Sequence, residues 1–69
     1  MTARMVAEKI AKAGFTGTNE LTDGGFYLSN SAIDRAEIAL GKDVVRKMIM
    51  SNEYVETDKG VVVYDLVAS

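Results

Sequence analysis

The side chains that could do chemistry in this 69-residue sequence are carboxylates, lysines, serines and tyrosines, because it contains no histidine and no cysteine. Glu20 and Asp23 flank a glycine-rich turn, and Glu53, Glu56, Asp58 and Asp65 recur along the last third of the chain. Two carboxylates can share acid and base work when their surroundings push their pKa values apart. No spacing here enforces that division, and these residues fall in turn-rich polar segments where charge ordinarily solubilises. A calcium loop needs oxygen ligands in regular alternation, which is missing. Ser29, Ser31 and Ser51 have no imidazole to activate them, and a serine–lysine pair would need a buried lysine that the pattern does not identify. Gly24-Gly25 leads into β-prone residues, whereas phosphate-cradling glycines lead into a helix. The residues therefore predict a protein that is not an enzyme, with no catalytic residue, no metal and no cofactor, working by binding.

Composition bounds what can position such side chains. A chain of 69 residues holds one core, so a single domain spanning 1–69 is expected. Its 48% hydrophobic and 26% charged residues predict a folded chain rather than a disordered one. With no cysteine there is no disulfide to brace a small core, and a reducing, cytoplasmic setting is expected. The formal charge of −2 argues mildly against nucleic acid. Glu8, Lys9 and Lys12 interrupt the N-terminal apolar residues, so no signal peptide is expected. Apolar runs of a few residues fall far short of the ~20 that cross a bilayer, so no membrane is expected as a partner.

Along the chain, Val6, Ile10 and Ala13 recur at helical spacing after a Thr2 cap, predicting a helix over 3–13 with Gly14 as its left-handed terminator. Residues 15–29 predict a hairpin turning at Thr22-Asp23-Gly24-Gly25, with a firmer second arm at Phe26-Tyr27-Leu28. Ser29 and Ser31 are alternative caps for the next helix, whose inner face carries Ile33, Ala36, Glu37 and Leu40. A mid-helix glycine costs about 1 kcal/mol against alanine, so Gly41 is expected to break it, the alternative being one helix continued through a tolerated glycine. A further helix over 42–50 would bury Val44, Val45, Met48 and Ile49. A second hairpin follows: Glu53 to Thr57, a turn at Asp58-Lys59-Gly60, then Val61 to Val67, apolar on both faces. One face needs the helices, and the other needs more of the chain, a second copy or a partner. The predicted fold is α+β: N-terminal helix, hairpin, central helix or helix pair and C-terminal hairpin, with a small antiparallel sheet.

Two surfaces follow. The C-terminal hairpin gathers Glu53, Tyr54, Glu56, Asp58, Tyr64 and Asp65, an acidic patch with aromatic anchors suited to a basic or nucleic-acid-binding protein surface, unless Tyr54 and Tyr64 face inward and close the core. A homodimer through the outer valines of the last strand is a further option. Alternatively, the element order helix, strand, helix, helix, strand, strand resembles the winged-helix arrangement of small DNA-binding domains. That resemblance makes 32–40 and 42–50 a helix-turn-helix pair and 58–60 the wing tip. Lys42, Arg46 and Lys47 would then contact the DNA groove and phosphates, with Lys59 reaching a phosphate from the wing. In size and composition the chain also resembles phage and mobile-element accessory proteins, including anti-CRISPR inhibitors. The protein-interaction module is the leading expectation, and the winged-helix regulator is its alternative.

Overall fold

The computed structural model of the protein describes residues 1–66. The elements are α1 (Ala3–Ala13), β1 (Asn19–Glu20), β2 (Phe26–Ser29), α2 (Asn30–Leu40), α3 (Lys42–Met50), β3 (Glu53–Glu56) and β4 (Gly60–Tyr64). The strands form one antiparallel sheet in the order β1-β2-β4-β3, so the expected α+β architecture is present. No described helix is long and apolar enough to cross a membrane.

Thr2 caps α1, its hydroxyl accepting from the Met5 amide at 3.2 Å. The other end departs from expectation. Gly14 has φ −89°, and Phe15 takes the left-handed conformation at φ 56°. The Thr16 amide donates to the Ala11 carbonyl at 2.9 Å and the Phe15 amide to Lys12 at 3.5 Å, the bonding of a Schellman ending one residue later than expected. Gly14 serves close approach instead, since a Cβ there would lie 2.8 Å from the Ala32 carbonyl oxygen. Arg35 of α2 closes the junction by donating from Nη1 to the Gly14 carbonyl at 2.9 Å.

Of the two candidate caps for α2, Ser29 is used, its hydroxyl accepting from the Ala32 amide at 3.2 Å. The break at Gly41 is real, with φ 98° and ψ 141° separating α2 from α3 by one residue. That conformation belongs almost solely to glycine.

The helices cover one face of the sheet. Val6, Ile10, Val45 and Val63 are fully buried, joined by Phe26, Leu28, Met48 and Ile49. Each such side chain contributes about 1.5–3 kcal/mol by leaving water. Val44 does not join this stripe and stays 48% exposed. On the far face, the Tyr64 ring lies across Gly25, where a Cβ would stand 2.7 Å from the ring, so the chain itself covers part of the second apolar face. The last strand ends sooner than expected: after Tyr64 the Asp65 carboxylate accepts from the Ala3 amide at 2.7 Å, and Val67 lies outside the described residues. Because β4 runs between β2 and β3, the open edge on that side belongs to β3, and β4 offers a copy no edge to pair with.

Candidate binding surface

The buried side of α3 is Val45, Met48 and Ile49, which turns Lys42, Asp43, Arg46, Lys47 and Met50 outward. Among the described residues the one salt bridge joins Arg4 to Glu20 at 3.2 Å, so Lys42, Arg46 and Lys47 are unpaired, as is the exposed Lys59. Asp43 is the single acid on α3.

The turn carrying Lys59 is tied into the fold by hydrogen bonds. Thr57 Oγ1 accepts from the Lys59 amide at 3.2 Å and the Gly60 amide at 3.0 Å. The start of α2 grips the same turn, with the Asn30 amide donating to the Lys59 carbonyl at 3.0 Å and Asn30 Nδ2 to Asp58 at 3.1 Å. Tyr27 adds a third bond from its hydroxyl to the Lys59 carbonyl at 3.0 Å. Asn30 in turn lines a groove of about 370 Å³ together with Ile33, Arg46, Met50, Tyr54 and Glu56. This groove brings Arg46 of α3, from the basic set, beside Tyr54 and Glu56 of β3, from the acidic one.

The six hairpin residues do not form one patch. Tyr54 and Glu56 pair with Val63 and Val61 on the helix side of the sheet, whereas Glu53 pairs with Tyr64 on the other. Tyr64 donates from its hydroxyl to Asp23 Oδ2 at 2.9 Å, and Asp65 holds the start of α1. Two of the proposed contacts are thus engaged within the fold. The Gly25 amide, which donates to Asp23 Oδ1 at 3.0 Å, and then the Tyr64 hydroxyl hold the Asp23 carboxyl below the ordinary carboxylate value. The same Asp23 bond holds the Tyr64 hydroxyl above the ordinary tyrosine value. Glu53, Tyr54, Glu56 and Asp58 remain exposed.

Sequence reasoning missed a second surface. Phe15 is 88% exposed and stands beside Leu40, Val44 and Met48 at the meeting point of all three helices, in a groove of about 560 Å³ edged by Lys9 and Lys12. The available signal was an aromatic residue directly after a helix-ending glycine. Among the described residues no group of carboxylates is placed to hold a metal ion. No protein-family model, curated protein or solved structure matches the chain.

Proposed function

We propose that the protein binds double-stranded DNA as a winged-helix module, without catalysis, presenting α3 to the groove and Lys59 to a phosphate. The observation that carries this reading is the set of four exposed cations, Lys42, Arg46 and Lys47 on α3 and Lys59 on the turn that Asn30 holds, none of them ion-paired among the described residues. The strand order β2-β4-β3 beside the α2–α3 pair supports it, since it resembles the sheet of that fold. Arg46 is the candidate for a base edge, because its planar fork can donate two bonds to guanine. Lys42, Lys47 and Lys59 are candidates for phosphates, which fix register.

Electrophoretic or fluorescence titration of a random duplex at several salt concentrations tests this reading. About 0.9 units of log–log salt slope accompany each neutralised phosphate, so three phosphate contacts give an expected slope of roughly −3 per protomer. Replacing Lys42 or Lys47 by alanine lowers the slope by about 1, and Arg46→Ala costs about 1–3 kcal/mol on a preferred site. Affinity unchanged by the triple reversal K42E/R46E/K47E would overturn the assignment.

One observation favours a second reading as a protein-binding module. All four residues of β3 are exposed, and Tyr54 and Val55 offer aromatic and apolar area beside an open strand edge. A phage inhibitor acting on a basic partner would use Tyr54 and Glu56. If Y54A/E56A abolished capture of a protein partner while duplex binding stayed absent, this reading would replace the first.

A further inference from the structure

Phe15 combines two costs that a chain selected for folding alone would avoid. A bulky residue in the left-handed region is strained by contact between its Cβ and the backbone, and glycine is the usual occupant of this Schellman position. Its ring is also left 88% exposed. Strain at a residue that packs on little is a pointer to a task. Around the ring the helices leave a concave apolar lining: Leu40 and Val44 are 40% and 48% exposed, and Met48 forms the floor. Leu40 ends α2 and Val44 lies in the first turn of α3, so the bend at Gly41 opens this concavity. The rim is basic. Lys9 and Lys12 line it, and neither is ion-paired among the described residues although Glu8 is adjacent in sequence.

We propose that this groove docks an acidic, amphipathic segment of a protein partner, with its apolar side chains placed against Phe15, Leu40, Val44 and Met48 and its carboxylates on Lys9 and Lys12. The lining chooses the ligand class. Aliphatic walls and a methionine floor accept leucine- or phenylalanine-sized anchors and give the edge of a nucleobase no hydrogen-bond partners, while two unpaired lysines favour carboxylates over basic side chains. Val44 and Met48 occupy a different flank of α3 from Lys42 and Arg46, while Lys47, three residues from Val44, stands between the two surfaces.

Selection of a random linear peptide library on the intact protein tests the proposal. The expected binders carry Asp or Glu around Leu, Phe or Trp, and bind about tenfold or more weakly to Phe15→Gly and to K9E/K12E. Phe15→Gly relieves the backbone, so its melting temperature is expected to hold or rise, which separates lost binding from lost folding. Basic or neutral consensus peptides, no enrichment, or binders indifferent to both variants would overturn the proposal. So would a concentration-dependent dimer in sedimentation that Phe15→Gly dissolves, which would make a second copy the occupant. Duplex affinity falling in step with Phe15→Gly would assign the groove to nucleic acid instead.

Discussion

At the scale of single residues, the bond between Asp23 and Tyr64 ties the first turn to the end of the last strand across 41 positions of sequence. Its two partners titrate in opposite directions, so its contribution has two limits. Asp23 is held low, chiefly by the Gly25 amide and then by Tyr64, so it stabilises above the ordinary carboxylate value and ceases to as pH falls through the lowered one. Tyr64 is held high by Asp23, so it stabilises below the ordinary tyrosine value and ceases to as pH rises through the raised one. Both groups are at the surface, and water screens the effect to a modest size. Melting temperature measured across pH should therefore show both limits in the parent. Tyr64→Phe should lose the alkaline one and keep much of the acid one, because the Gly25 amide still bonds Asp23. Asp23→Asn should lose both. An alkaline limit unaltered in Tyr64→Phe would assign it to another tyrosine.

At the scale of elements, the one-residue junction at Gly41 decides how α2 and α3 meet. Nothing stands within 4 Å of a Cβ placed there, so substitution meets no clash and the whole penalty is backbone strain. Gly41→Ala is expected to destabilise by about 1–3 kcal/mol in denaturant unfolding. Gly17, equally uncrowded and without a positive φ, is the control: Gly17→Ala should be neutral or stabilising by up to about 1 kcal/mol. Equal losses at both sites would show that Gly41 is not strained by its conformation. The break was legible because a glycine divides two apolar periods, and the C-terminal hairpin because β-branched residues crowd after a turn. The end of α1 was not. Local pattern puts glycine at the left-handed position, but the approach of Ala32 requires glycine one residue earlier, and no local signal reports a contact 18 positions away in sequence. Val44 was misplaced for a related reason, since it continues the apolar stripe of α3 while facing a concavity that exists only once three helices meet. The acidic patch dissolved on folding because the alternation of β3 sends Glu53 to one face and Glu56 to the other.

At the scale of the whole molecule, 34 × 22 × 20 Å in extent, the candidate surfaces divide around α3: the groove that Arg46 lines on one flank, the Phe15 groove on the other, and Lys47 between them. A helix gripped on its buried side by α1, α2 and the sheet can offer both flanks without moving. The contact between Asp65 and the Ala3 amide has a topological consequence as well. Residues 3 and 65 are neighbours in space, so a flexible glycine–serine bridge could turn the polypeptide into a ring, and new ends could be opened between Gly17 and Thr18, where the chain is exposed. Such a circular permutant should melt within about 4–8 °C of the parent, measured by circular dichroism. It would also carry fused reporters on the loop between α1 and β1, leaving the helix start that Asp65 holds unencumbered.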